Sequence, residues 1–182
     1  MALEFTTSYV KDSMDVLRYY KHLGDRAMEQ VPDASLTASL DAESNSIAII
    51  VKHVAGNMRS RWTDFLTSDG EKPSRNRDAE FESAANTRAE LRADWESGWK
   101  CAFDSLAALT DADLGRTVRI RGEAHSVMQA IGRMMTHTAY HVGQIVYVAK
   151  HFAGEKWRPL TSPRGKSAEF NSRVASGQIS QR

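Results

Sequence analysis

Apolar residues recur at helical spacing in four long stretches of this chain, and polar segments bearing proline or glycine separate them. In residues 4–30, Phe5, Tyr9, Met14, Leu17, Tyr20 and Leu23 make a rough helical stripe, which Gly24 weakens and Pro32 closes. Residues 33–44 are polar, with Leu36 and Leu40 expected to anchor them to the core. Asn45 or Ser46, both good N-cap residues, opens a second helix. Ile47, Ile50, Val51, Val54, Met58, Trp62 and Phe65 follow along it at helical spacing. The Asp-Gly pair and Pro73 mark residues 68–78 as a loop. A third helix is expected over residues 80–109, burying Phe81, Leu91, Trp95, Phe103 and Leu106. The run TVRIRGEAHSV alternates about Gly122 and predicts a short hairpin within residues 110–125. The fourth helix, residues 126–152, is the most apolar and stops before Gly154.

Four long helices with connections of modest length predict an all-α antiparallel four-helix bundle over residues 1–154, with a short β-hairpin between the third and fourth helices. Residues 155–182 read as a tail that packs on the bundle or on a partner subunit through Trp157, Leu160 and Phe170.

Composition narrows the class. A chain of 182 residues can bury a core without disulfides, and its single cysteine, Cys101, cannot form one within the chain. Cys101 is expected as a small buried hydrophobe. The formal charge of +1, with both signs interspersed, argues against a nucleic-acid surface or an anionic membrane partner. The first residues have no apolar signal-like core, and no run is long and uncharged enough to span a bilayer. A cytoplasmic globular protein is the expectation. Trp62, Trp95, Trp99 and Trp157 are expected in the core or at an interface, and Met128, Met134 and Met135 as core filler.

The chemistry, if any, lies with histidine. His137 and His141 stand four apart in the fourth helix, on one face, with Cβ atoms roughly 5–6 Å apart. Two imidazoles so placed can close on a divalent ion, or be ordinary residues of a bundle seam. Along the helix, His125 lies roughly 18 Å from His137, and His151 roughly 15 Å from His141, so neither shares an ion with the pair. His125 reads as a hairpin or helix-start residue, and His151 suits the negative end of the helix dipole. His22, among Arg18, Asp25 and Arg26, reads as a surface residue. His53 faces a mostly apolar side with Ile49, Ile50, Gly56 and Asn57. Gly56 would let a neighbouring helix come close, and Asn57 is placed to orient a ligating ring. His53, His137 and His141 are therefore the best triad. Spacing alone does not choose between it and two hydrogen-bonded seam histidines beside an unrelated His53.

The segment His137-Thr138-Ala139-Tyr140-His141-Val142-Gly143-Gln144-Ile145 resembles the last-helix signature of the DinB/YfiT-like superfamily: two helical histidines four apart, then Gly-Gln and an aliphatic residue. The likeness extends over nearly the whole chain, and RWTDFLTSDGEKPSRNRDAEF and WRPLTSPRGKSAEFN look like a branch with no assigned function. The resemblance implies a four-helix bundle with a three-histidine metal site, one ligand from the second helix and two from the fourth. The matching positions are His53, His137 and His141. It also implies a homodimer, since relatives commonly form one. The superfamily includes thiol-dependent S-transferases, an isomerase that uses mycothiol, and many members without a known role. The mycothiol-dependent activity is not carried over, because the appended domain of some of those relatives is not read here.

Three neutral imidazoles leave a coordination position open for water or substrate. Zinc fits the ligands best, while nickel, manganese and iron also accept imidazole. A low-molecular-weight thiol is the small-molecule partner that the resemblance implies. No general base is identifiable. Tyr140 and Gln144 neighbour the ligands along the helix. Arg75, Arg77 and Asp78 are placed to line the mouth of the site, although solvated loop charges are the simpler reading of them. Two functions follow as expectations: a metal-dependent enzyme, of the thiol S-transferase kind, acting on small electrophiles, or a non-catalytic stress-associated binding or interaction protein with a structural metal or none.

Overall fold

The computed structural model describes residues 8–82 and 87–179, so Phe5 lies outside the described residues. Its main helices are α1 (Tyr9–Met28), the short α2 (Asp33–Leu36), α3 (Ile47–Trp62), α4 (Arg88–Ala107), α5 (Val127–Ala153) and α6 (Ser167–Ala175). The two strands are β1 (Thr117–Ile120) and β2 (Glu123–Ser126). Helices α1, α3, α4 and α5 are the four of the bundle; α3 packs mainly on α4, and α1 mainly on α5. Among the described residues no helix is long and apolar enough to cross a membrane.

Local chemistry sets the helix starts. Ser46 caps α3 by accepting the Ile49 N–H, and Ser126 forms a capping box with Gln129 at the start of α5. The third long helix begins later than its apolar pattern suggests. Thr87 and Glu90 form a capping box that starts α4 at Arg88. Residues Asp78–Glu80 form a separate 3-10 turn, and Phe81 follows it outside the helix. A satisfied cap outweighs a stripe extended backwards through polar residues.

The stripes meet in one core. Leu17, Ile47, Val51, Trp95, Trp99, Leu106, Ile131 and Ile145 are all almost completely buried. Two glycines set how closely the elements approach. A Cβ on Gly98 would stand 2.6 Å from the Ala55 Cα, so α3 and α4 touch backbone to backbone there. Gly24, which weakens the α1 stripe, makes room for the Trp95 ring, whose Nε1 donates to Asp25 at 2.7 Å. Met128 departs from its expected place as core filler. It is 46% exposed, because the first turn of α5 turns that position away from the bundle.

The hairpin pairs Val118 with His125 and Ile120 with Glu123, burying Val118 and Ile120. Arg121 and Gly122 both have positive φ, as a two-residue turn of this hand requires. Asp69 holds that turn. Its carboxylate accepts the backbone N–H of Arg121 at 2.8 Å, of Gly122 at 2.7 Å and of Glu71 at 2.7 Å. These backbone hydrogen bonds pull the Asp69 carboxyl down to about 2. The hairpin is thereby fixed beside the C-terminal end of α3. Beyond α5, Trp157 and Leu160 pack against the core, and Arg158 exchanges backbone hydrogen bonds with the Gln30 side chain. Helix α6, which carries Phe170, has no buried residue.

Candidate metal centre

Helix α3 brings His53 in from one side and α5 brings His137 and His141 from the other. One ring nitrogen from each of the three lies within 4.8 Å of the others. His53 is buried, 5% exposed, and the α5 rings are half-buried. The Nε2 atoms of His53 and His137 are 3.2 Å apart. Two nitrogens bound tetrahedrally to zinc at about 2.0–2.1 Å stand roughly 3.3–3.4 Å apart. The observed separation thus fits one small ion shared by both rings.

The outer nitrogens are already engaged, which is what aims the inner ones. His53 Nδ1–H donates to Glu80 Oε2 at 2.9 Å, leaving the Nε2 lone pair directed inward. His141 Nδ1–H donates to the Gln144 side-chain oxygen at 2.8 Å. Glu80 is in turn gripped by Arg75, whose Nε and Nη2 each reach a carboxylate oxygen at 2.8 Å. Both side chains of this fork are buried, Arg75 5% and Glu80 10% exposed. The Phe81 ring lies 4.9 Å from that of His53, centre to centre, and helps exclude water.

The electrostatics favour the neutral form of the two α5 imidazoles. Burial first, then the His141 and His53 rings, push His137 down to about 3. Burial also lowers His141, although its bond to Gln144 works the other way. Burial opposes ionisation of Glu80, but the hydrogen bonds from His53 and Arg75 outweigh it, and the carboxyl sits below its ordinary range. The result is two α5 imidazoles held towards their neutral form beside His53, whose ring is backed by a carboxylate, a donor set suited to a divalent cation.

A cavity of about 180 Å³ opens onto His53 and His137. Trp62, Phe65, Ile120 and Met134 supply its apolar wall, and Asn57 lines it as well.

The structure therefore brings His53, His137, His141 and Gln144 together, and sets Asn57 and the arginines of the loop around the cavity. Tyr140 is different. It is 65% exposed, and its ring only borders that of His141, because its position on α5 turns outward. Arg75 is not a solvated loop charge, since Glu80 draws its guanidinium into the interior; Arg77 is exposed and lies over the Phe81 ring. Gly56 does not admit a neighbouring helix. The Glu80 carboxylate fills the space where its Cβ would be, and the close helix contact is one residue earlier, at Ala55. His22 and His151 are exposed, and His125 lies on β2 with its ring against the Glu123 carbonyl. Cys101 is only partly buried, its Sγ 3.4 Å from the Thr63 hydroxyl.

Glu80 is the residue that sequence reasoning missed. It stands 27 positions from His53, at the expected start of the third helix, so no spacing rule links the two. Arg133 was legible in principle, one helical turn before His137 on the same face.

No curated protein matches the sequence. Among solved structures, the crystal structure of a DinB-like protein from Bacillus cereus ATCC 10987 is similar. The two align with a TM-score of 0.56 at 12% identity, over 81% of this chain and 94% of that one, a likeness of fold. The profile of the family described as "Protein of unknown function (DUF1572)" matches residues 4–166, and the chain belongs to that family.

Proposed function

We propose that this protein is a metal-dependent enzyme, with His53, His137 and His141 holding a divalent ion, zinc by preference, and a small electrophile as substrate. The observation that carries this reading is the convergence of three ring nitrogens within 4.8 Å, with His53 and His137 lining a cavity. An ion held there would lower the pKa of a bound water or thiol and polarise a substrate carbonyl. The chain's own part is to keep the His137 and His141 imidazoles neutral, to fix the His53 ring through Glu80 and the His141 ring through Gln144, and to keep bulk water from His53 with Phe81. Thiol S-transfer is the reaction we favour, on the resemblance of the last-helix segment to the DinB/YfiT-like superfamily.

The test begins with elemental analysis of tag-free protein beside His53→Ala. One zinc per chain in the native protein, and a large loss in the variant, is the expected result. Metal-loaded protein is then assayed for conjugation of bacillithiol, mycothiol, glutathione or coenzyme A to a small electrophile. Chelator-sensitive turnover that is lost in His141→Ala supports the enzyme reading.

One observation favours a second reading, a non-catalytic binding protein with a structural metal. Among the described residues no carboxylate lines the cavity, so with His53 and His137 taken up by an ion no general base faces it. On that reading His141→Ala lowers stability and the metal-loaded protein turns over none of the thiols.

A further inference from the structure

The cavity beside the histidines is lined by six arginines and, among the described residues, by no aspartate or glutamate. They arrive from separate elements: Arg61 from α3, Arg75 and Arg77 from the following loop, Arg119 and Arg121 from the hairpin, and Arg133 from α5. A chain with a formal charge of +1 has thus gathered a quarter of its Lys and Arg, six of 24, around one small opening.

The carboxylates behind the wall account for only part of this charge. Glu71 pairs with Arg61 at 3.0 Å and with Arg121 at 2.6 Å, and Glu80 pairs with Arg75. Arg75 is 5% exposed, yet its Nη1 has no hydrogen-bond partner among the described residues, the nearest Glu71 oxygen being 4.0 Å away. Arg77, Arg119 and Arg133 form no ion pair among the described residues. Arg77 lies over the Phe81 ring at 4.9 Å, and Arg119 donates to the Gly122 carbonyl at 2.9 Å. Arg133 is exposed on α5, one turn from His137. Cations crowded at a concave, partly apolar surface concentrate field and draw in an opposite charge. Arginine in particular matches the planar or tetrahedral oxygens of a carboxylate or phosphate.

The rest of the lining is partly apolar, with Trp62, Phe65 and Met134 among its residues. At about 180 Å³ the cavity compares with engineered cavities of about 150 Å³ that take in one benzene molecule. It is built for a small molecule and not for a polymer backbone.

We propose that the ligand of this pocket is a small organic anion, its carboxylate or phosphate met by Arg77, Arg119 and Arg133 and its apolar part lying on Trp62, Phe65 and Met134. That this ligand is the substrate rests on the reading of the three histidines as a metal centre; the anion preference does not. The arginines do the selecting, and the apolar wall turns the bound anion's body away from water.

Calorimetric titration of the full chain, both zinc-loaded and chelator-stripped, with phenyl phosphate, benzoate and uncharged benzamide tests it. In the stripped protein no ion can attract the probe, so binding there belongs to the arginines. The expected result is binding of at least one anion, weakened by salt and roughly tenfold or more weaker in Arg133→Gln, with part of it kept in Arg133→Lys, and none for benzamide. Preference for phenyl phosphate or for benzoate tells a phosphate ester from a carboxylic acid. Circular dichroism and zinc content of Arg133→Gln are expected to match the native protein. No binding of either anion in both forms, equal binding by Arg133→Gln, or equal binding of benzamide overturns the proposal. Arginine-dependent anion binding by a chain that takes up no zinc would remove the metal reading and leave this one standing. Zinc uptake without anion binding would do the reverse.

Discussion

His53 and His141 lie 4.8 Å apart, ring centre to ring centre, but are held in place by different means. On the α3 side, His53 leans on a buried carboxylate 27 residues away, itself gripped by a buried arginine. On the α5 side, His141 leans on a neutral amide one helical turn further along the same helix. The first arrangement depends on tertiary packing, carries charge, and is costly to damage. The second is local, uncharged and inexpensive. A carboxylate behind a ligating ring also raises its donor strength, so the two sides contribute unequally to any bound cation.

The most severe way to break this asymmetry is Glu80→Ala. It strands the Arg75 guanidinium in the interior and frees the His53 ring. Urea unfolding is expected to show a loss of about 3–5 kcal/mol, and zinc competition a loss of about 10–100-fold in affinity. Unchanged stability would mean that the fork is not structural.

Gly98→Ala attacks the same side without touching the site. The added methyl meets the Ala55 backbone, which belongs to the helix that carries His53. About 1–3 kcal/mol of destabilisation is expected, with weaker zinc binding, while the His141–Gln144 pair is left as it was. A gain in stability on thermal melting would contradict the close helix approach.

Acid probes the α5 side. His137 is held down to about 3 against an ordinary 6.5. Because the folded chain binds this proton less readily than the unfolded chain, stability rises with pH through that window. The metal-free protein is therefore expected to be most stable above about 6.5 and to lose stability progressively as pH falls towards about 3. His137→Gln should flatten that slope in urea midpoints measured against pH. A slope unchanged by the substitution would place the titration elsewhere.

The gentlest change is Gln144→Ala. The expected stability change is within about 0.5 kcal/mol, and zinc affinity falls by about tenfold, the low end for a residue that orients a ligand. A loss as large as that from Glu80→Ala would erase the contrast between the two sides.

Much of the frame was readable because its causes are local. Asn45 or Ser46 marks the start of α3 as a cap, Gly122 marks the hairpin turn, and His137 and His141 share a face by helical arithmetic alone. The apolar spacing around His53 indicated an inward ring. Where reading failed, the deciding contact lay far along the chain. Phe81 looked like the start of a buried helical face, but the Thr87–Glu90 cap starts α4 beyond it. Gly56 looked like a helix contact and is instead the seat of the Glu80 carboxylate. Arg75 looked like a loop charge and is buried by the same carboxylate.

The amino-acid order by itself determined four helical stretches, the cap that opens α3, and a face of α5 presenting two imidazoles, because periodicity and capping act over a few residues. Only the tertiary structure decided that a glutamate from a loop would orient His53, and that arginines from α3, α5, the loop and the hairpin would surround one cavity. Those contacts join positions tens of residues apart, and their partners are chosen by how the helices pack and by the cost of leaving a buried charge unpaired.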